Sequence, residues 1–195
     1  MFGKMRNFAA GNRKQTVVTP AEYVQLKAFA RYDGALLAVL WVASFACYVA
    51  GLAQPMWSIV AMVLMVVTPF FVCKRLRNFR DVGRDGIISL RRGWAYAIFV
   101  FFYAAVLLAV AQYIYFAYID QGYLLSMFSQ ALTAPEVKQA LQQAGLQQAM
   151  KESLEQLGQL RPIDYALNVL TVNIVIGIVM GLPIAVLMQR KRVES

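Results

Sequence analysis

The chain has 195 residues, of which 60% are hydrophobic and only 15% are charged. A soluble domain carries about 25% charged residues, so the composition argues against a soluble fold and predicts a membrane protein. The formal net charge is +9 and the sequence contains no histidine, which removes the most common general base and metal ligand.

The first 33 residues contain no apolar run long enough to cross a membrane and are predicted to form an N-terminal segment, residues 1–33. Within it, Thr19 to Glu22 read TPAE. This is a capping box with proline at the first helical position, and it predicts a helix that begins at Pro20. We expect this helix to lie on the membrane surface as an interfacial helix and to turn at Gly34 into the first span.

Four runs without a charged residue are each long enough to cross a membrane. About 20 apolar residues span a hydrocarbon core of about 30 Å, and four such runs occur in the sequence. We therefore predict an all-α polytopic membrane protein with a single membrane domain, residues 1–195. Its four transmembrane helices are predicted at residues 34–53, 56–73, 95–118 and 166–188.

Lysine and arginine are distributed unequally between the segments that connect these spans. Sixteen lie in the N-terminal segment, in the loop 74–94 and in the tail 189–195, whereas only three lie on the opposite side. Because loops rich in lysine and arginine stay in the cytoplasm, both termini and the loop are predicted to be cytoplasmic. The segment 119–165 is then external.

The loop 74–94 carries seven basic residues, and membrane orientation alone explains its charge. Ser89 is a predicted N-cap, which places Arg91 and Arg92 in the first turn of the third helix, where the helix dipole favours anions. These two arginines either reach lipid phosphates or hold a specific anionic group, such as the phosphate of a carrier lipid. The residues predicted to contact anionic lipid are Arg75, Arg77, Arg80, Arg91 and Arg92.

The external segment contains a second predicted capping box, Thr133 to Glu136. The following residues place apolar side chains at helical spacing and include seven glutamines. This pattern predicts an external amphipathic helix over residues 134–158 that can bend at Gly145. The helix is either a solvated connector between two spans or a docking surface, on the bilayer or on another protein.

The fourth span places Asn173, Gly177, Gly181 and Ala185 four residues apart on one smooth face. Small residues let helices approach closely. This face either packs inside the same four-helix bundle or mediates homodimerisation or docking on a partner's helix. In the third span, Gln112 is predicted to need a buried hydrogen-bond partner.

No sequence pattern indicates catalysis. Nucleotide-binding, metalloprotease and C-x-x-C motifs do not occur, and the charge-free spans argue against a proton pump or a charged-filter channel. An acid–base pair for an enzyme at the external face could be formed by any two of the external carboxylates, Asp120, Glu136, Glu152, Glu155 and Asp164. Scattered carboxylates on helix surfaces are, however, usually solvated. We therefore predict no catalytic residue, no cofactor, no metal ion and no enzymatic activity.

The two ends of the third helix resemble those of a known family. Residues 86–97 read GIISLRRGWAYA and residues 113–120 read YIYFAYID. Both stretches are similar to motifs in a family of small bacterial four-helix inner-membrane proteins that is catalogued as a domain of unknown function. The external amphipathic stretch and the glycine-rich last span are also similar. The resemblance implies an inner-membrane protein of an envelope-bearing bacterium, and it brings no known activity.

These observations lead us to expect a non-enzymatic integral membrane protein that acts as an accessory or scaffold subunit for a cell-envelope biogenesis enzyme. The alternative is a small transporter or lipid flippase that acts as a homodimer, with the small-residue face of Asn173, Gly177, Gly181 and Ala185 as the dimer interface. The expected partners are the lipid bilayer, anionic lipids at the cytoplasmic face, and another membrane protein or a second copy of the chain. Nucleic acid is not an expected partner, because the basic charge follows the membrane topology.

Overall fold

The computed structural model describes residues 20–190, and nearly all of them are helical. Within this range the α-helices are α1 (Pro20–Ala53), α2 (Pro55–Gly83), α3 (Leu90–Ile114), α4 (Tyr123–Thr133), α5 (Pro135–Gln143), α6 (Gln147–Gly158) and α7 (Pro162–Met188); a π-helical segment, Tyr115–Ile119, continues α3. Four of these elements, α1, α2, α3 with its π-helical segment, and α7, are long and apolar enough to cross a membrane. The prediction of an all-α polytopic fold is confirmed, and the chain is a multi-pass membrane protein.

The first helix is longer than predicted, because α1 continues through Gly34 without a break. The turn that we expected there is wrong. Gly34 lies against α3, where an added Cβ would come within 2.9 Å of the carbonyl oxygen of Val100. The glycine therefore permits a close approach of two helices. Thr19, which completes the predicted capping box, lies outside the described residues.

The second helix also extends beyond its apolar run. Residues 74–83, which we assigned to the loop, continue α2 to Gly83. Leu76 and Phe79 lie in this extension and are buried in the core, so tertiary packing supports the helix past the charged residues. The connection to α3 consists of residues 84–89.

The four long helices run alternately in opposite directions. Trp41 Nε1 of α1 donates a hydrogen bond to Thr68 Oγ1 of α2 at 3.0 Å, and Ser44 Oγ donates to the carbonyl oxygen of Ala61 at 3.0 Å. The helix α3 packs between α1 and α7, while α2 lies mainly against α1. In the most apolar 18-residue stretch of α3, 44% of the residues are buried, whereas the corresponding shares for α1, α2 and α7 are 22%, 17% and 22%. The helix α3 is therefore the centre of the bundle.

The two ends of the bundle differ in character. At one end α1 and α3 begin and α2 and α7 end; we call it the basic end, because most of the described lysines and arginines lie there. The opposite, distal end carries α4, α5 and α6, which we call the distal helices. Within these three helices no residue is buried.

The distal helices differ from the single bent helix that we expected. The chain breaks at Gly145, whose φ is 66°, and this separates α5 from α6 as the predicted bend suggested. The predicted capping box at Thr133 is wrong, because Thr133 ends α4 and its hydroxyl donates to the carbonyl oxygen of Gln130 at 2.7 Å. Ala134 is the N-cap of α5.

Candidate functional site

A buried carboxylate joins three helices at the basic end. Asp33 of α1 is completely buried. Arg75 of α2 forms an ion pair with it, with Nε at 2.5 Å from Oδ1, and the hydroxyl of Tyr96 in α3 donates a hydrogen bond to Oδ2. Each carboxylate oxygen thus has its own partner from a different helix. A buried charge requires such partners, because its desolvation is costly.

Aromatic rings surround this ion pair. Phe79 stacks on Tyr96 with the ring centroids 4.8 Å apart and the planes 9° from parallel, and Phe29 packs on Phe79 at 5.2 Å. The guanidinium of Arg75 lies 5.6 Å from the centre of the Tyr32 ring. The Arg75 side chain is 24% exposed, so the cluster is closed on the side of Asp33 and reaches the surface at Arg75.

A second cluster centres on a carboxylate in the first turn of α1. Oε1 of Glu22 lies 2.8 Å from Nη1 of Arg84, and Oε2 lies 2.6 Å from Nη2 of Arg92. The three side chains are 28%, 17% and 19% exposed, respectively. One carboxylate therefore connects the start of α1 to the loop after α2 and to the first turn of α3.

Arg80 connects the end of α2 to the end of α7. It is buried, and its Nη1 donates to the carbonyl oxygen of Met188 at 3.2 Å, while its Nε donates to Asp81 at 2.8 Å. A cation at the last carbonyls of a helix is favourable because it complements the helix dipole. Backbone hydrogen bonds between Ile88 and Arg190, at 3.2 and 3.0 Å, add a second connection to the same helix end.

The five arginines that we predicted to contact lipid therefore differ in their surroundings. Arg75, Arg80 and Arg92 are held by the intramolecular contacts above. Arg77 is 70% exposed and lies 3.7 Å from a carboxylate oxygen of Asp81, and Arg91 is exposed on the first turn of α3. Lipid contact by these residues stays a prediction. Ser89 is the N-cap residue of α3, as expected, although its side chain makes no capping hydrogen bond to the described backbone.

The small-residue face of α7 lies against α3. A Cβ added at Gly177 would overlap the side chain of Phe101, and one added at Gly181 would lie 3.2 Å from the Cβ of Ala97. Ala185 is 1% exposed. These contacts are within one bundle. The Nδ2 of Asn173 donates a hydrogen bond within its own helix, to the carbonyl oxygen of Val169 in α7 at 2.8 Å.

Gln112 lies near the end of α3, just before the π-helical segment. It is 6% exposed, and its Oε1 has no hydrogen-bond partner among the described residues. A buried acceptor without a partner costs about 1–3 kcal/mol. The predicted partner is thus missing for this atom within the described part of the chain. Short π-helical segments associated with α-helices are frequently found at functional sites.

The external carboxylates have local partners. Asp120 is buried and accepts hydrogen bonds from the backbone N–H groups of Gly122 and Leu124, both at 3.1 Å, so it caps the start of α4. Asp164 accepts from Nε of Arg161 at 3.0 Å, a contact that raises the pKa of the Arg161 guanidinium. Glu152 accepts from Gln148 at 2.9 Å. Each carboxylate serves its own segment of helix.

The chemistry of the basic end is therefore that of paired charges. Among residues 20–190 no group of three histidine, cysteine, aspartate or glutamate side chains is placed to hold a metal ion. The acidic residues at this end instead fix guanidinium groups in position, and guanidinium groups are suited to bind carboxylates and phosphates.

Sequence reasoning missed Glu22, Asp33 and Tyr96 as members of these clusters. Asp33 immediately precedes the first charge-free run, and Arg75 is the second residue after the end of the second run. Because consecutive spans are antiparallel, these positions meet at the same end of the bundle. An acidic and a basic residue at matching ends of consecutive spans was the signal that could have identified the ion pair.

Comparison with known families identifies a match over most of the chain. The family model described as "Protein of unknown function (DUF4199)" matches residues 32–190. The chain belongs to this family. The matched region of DUF4199 begins just before Asp33 and includes Arg75 and Tyr96, whereas Glu22 lies outside it. Searches among curated proteins and among solved structures gave no match.

Proposed function

We propose that this member of the DUF4199 family is a non-enzymatic accessory subunit that presents its distal helices to a partner protein of cell-envelope biogenesis. In this proposal the protein resides in the bacterial cytoplasmic membrane with both termini in the cytoplasm. The four-helix bundle anchors the distal helices at the external surface. The excess of basic residues at one end of the bundle supports this orientation.

The observation that carries the proposal is the incomplete packing of the distal helices. They lie between two membrane-spanning helices, α3 and α7, and within them every residue remains at least partly exposed. Apolar side chains on their surface include Val137 and Met150, each 38% exposed, and Leu146, the N-cap residue of α6, is 51% exposed. Amphipathic helices with unburied apolar residues are a common surface for docking a partner.

The polar part of this surface favours a protein over lipid as the partner. A notch of about 340 Å³ between α5 and α6 is lined by Gln142, Gln147, Gln148 and Lys151 together with the backbone at Gly145. Residues 120–164 contain five acidic and three basic residues, and this balance does not attract anionic headgroups. Amide side chains can pair with the polar groups of a peptide, and a basic surface on the partner would complement the charge.

The partners of the acidic residues support a structural role. Asp120 caps a helix, Asp164 pairs with Arg161, and Glu152 accepts a hydrogen bond from Gln148. A general acid or base must reach a substrate proton, whereas these carboxylates already accept hydrogen bonds from the protein. This arrangement favours an accessory subunit over an enzyme at the external face.

The transport alternative receives less support. A dimeric transporter would need a dimer interface, and the predicted interface was the small-residue face of α7. Gly177 and Gly181 are instead closed by Phe101 and Ala97 of the same chain. The notch at the distal end is lined by polar residues outside the apolar spans, where it cannot form a path across the membrane.

Affinity purification in mild detergent tests the proposal. We expect a specific membrane protein to copurify with the wild-type chain at several expression levels, and to be lost when Met150 and Val137 are both changed to aspartate. The matched control is Val82→Asp with Ile87→Asp, which introduces the same two charges at exposed apolar residues of the opposite, basic end. Recovery of the chain alone, or loss of the partner with the control as well, would overturn the proposal.

A further inference from the structure

Two arginines from different elements converge on the same point at the basic end. Arg84 follows α2, and Arg92 lies in the first turn of α3. Their Nη atoms contact the two oxygens of the Glu22 carboxylate at 2.8 and 2.6 Å. We call Arg84 and Arg92 the arginine fork. A pair of guanidinium groups in this arrangement can hold a phosphate group as well as a carboxylate, because both present several oxygens at one point.

The local field favours an anion at the arginine fork. The start of a helix carries a partial positive charge, and Arg92 adds a full one there. Arg31 and Arg91 are exposed at the same end of the bundle and add to the positive potential. In this structure Glu22 supplies the anion, and another anion of suitable geometry would gain the same interactions.

The fork is accessible from the membrane surface. The Arg84 and Arg92 side chains are 17% and 19% exposed. Arg92 lies immediately before Gly93, at which the apolar run of α3 begins. A side chain at the end of an apolar run is at the depth of the lipid headgroups.

The segment that carries Glu22 can separate from the fork without opening the core. The first buried residue of α1 is Leu26, so Pro20 to Gln25 precede the packed part of the helix. Among residues 20–190, the other contacts of this segment with α2 and α3 include a long hydrogen bond of 3.4 Å from Gln25 to the carbonyl oxygen of Gly83 and an edge-on contact of Tyr23 with Phe99 at 6.0 Å. No residue of the segment 20–25 belongs to the Asp33 cluster.

We propose that the arginine fork is a binding site for a phosphate group and that Glu22 closes it by occupying the place of the phosphate. Binding would displace the start of α1, residues 20–25, from Arg84 and Arg92. The site is therefore a competitive switch, in which the carboxylate of the chain and the phosphate of the ligand exchange on the same two guanidinium groups. The phosphate could belong to a lipid headgroup or to a soluble compound, and the experiment below separates these sources.

Native mass spectrometry of the full chain, released from nanodiscs that contain phosphatidic acid, tests the proposal. Glu22→Gln should raise the fraction of protein with bound phosphatidic acid by about fivefold, the size expected when one competing, partly exposed carboxylate is neutralised. Asp85→Asn is the matched control: it makes the same change of charge at an exposed residue beside Arg84 but leaves the fork occupied. It should change binding less than about twofold. Arg84→Gln with Arg92→Gln, in the Glu22→Gln background, should abolish the gain.

Two further measurements complete the test. In the wild-type chain, phosphatidic acid should increase hydrogen exchange at residues 20–25 and leave residues 26–33 unchanged, and this needs no variant to fold. Inorganic phosphate at millimolar concentration should compete if the natural ligand is soluble and should not compete if a lipid is required. An equal gain for Glu22→Gln and Asp85→Asn, no gain for Glu22→Gln, or unchanged exchange at residues 20–25 would each overturn the proposal.

Discussion

The hydroxyl of Tyr96 donates a hydrogen bond to the carboxylate of Asp33, from which it is separated by 63 positions in the sequence. Asp33 is completely buried, and its other oxygen is paired with Arg75. This arrangement connects α1, α2 and α3 through one carboxylate. The bundle therefore depends at its basic end on a buried charge whose partners come from two other helices.

Removal of the Asp33 charge should destabilise the protein. The variant Asp33→Asn leaves Arg75 without its counter-ion, and we expect the free energy of unfolding to fall by about 3 kcal/mol. This is the lower end of the range for a buried pair, because Arg75 is partly exposed. Denaturant unfolding in detergent micelles measures this loss. Asp85→Asn is the control. Arg75→Gln combined with Asp33→Asn should cost less than the sum of the two single changes, and strictly additive losses would show that the pair is not coupled.

The contact between α7 and α3 should tolerate added volume differently at its two glycines. An added Cβ at Gly177 overlaps the side chain of Phe101, whereas one at Gly181 lies 3.2 Å from Ala97. Gly177→Ala should therefore cost about 1–3 kcal/mol, and Gly181→Ala should cost less. Thermal unfolding of the two variants in the same detergent gives the order. Leu187→Ala, at a residue that is 71% exposed, serves as the control, and the reverse order of the glycine variants would contradict the observed packing.

Replacing Gln112 by an apolar residue should make the isolated protein more stable. Because its Oε1 is buried without a described partner, Gln112→Met removes an unsatisfied acceptor at nearly constant volume and should stabilise the isolated protein by about 1 kcal/mol. The measurement is the midpoint of thermal unfolding. A loss of stability would show that the carboxamide has a partner in the purified protein, and a gain of stability with loss of cellular function would assign Gln112 to a contact outside this chain.

The break between α5 and α6 should depend on glycine at one position. Gly145 has a φ of 66°, a conformation that costs other residues about 1–2 kcal/mol. Gly145→Ala should increase hydrogen exchange in residues 135–158 without changing the unfolding of the four-helix bundle. Gly145→Asn should have a smaller effect, because asparagine adopts positive φ more readily. Equal exchange in the alanine variant and the wild type would contradict this.

The four spans were predictable because absence of charge over about 20 residues is a local property of the sequence. The ends of the helices were not. Asp33 lies beside the first apolar run, where a charged residue normally reaches the headgroups, and only the packing of α2 and α3 brings Arg75 and Tyr96 to it. Residues 74–83 were assigned to a loop for their charge, although Leu76 and Phe79 hold them in α2.

Two local signals were overridden by neighbouring structure. Gly34 resembles a helix break because glycine has low helix propensity, but in α1 the missing side chain is used for contact with α3. Thr133 matches the capping-box pattern, but it belongs to the end of α4, a helix that the sequence did not predict. The arginine fork was not predicted, because Glu22 lies 62 positions before Arg84 and 70 before Arg92 and does not border an apolar run.

The most direct test of the proposed function is site-specific photo-crosslinking in living cells. A photoreactive amino acid at Gln142, on the exposed surface of the distal helices, should form an adduct with one partner protein, and the adduct should persist when expression is lowered. The same group at Met65, which is 70% exposed on α2, should give no protein adduct of that size. No protein adduct from Gln142, or the same adducts from both positions, would contradict the role of the distal helices as a docking surface.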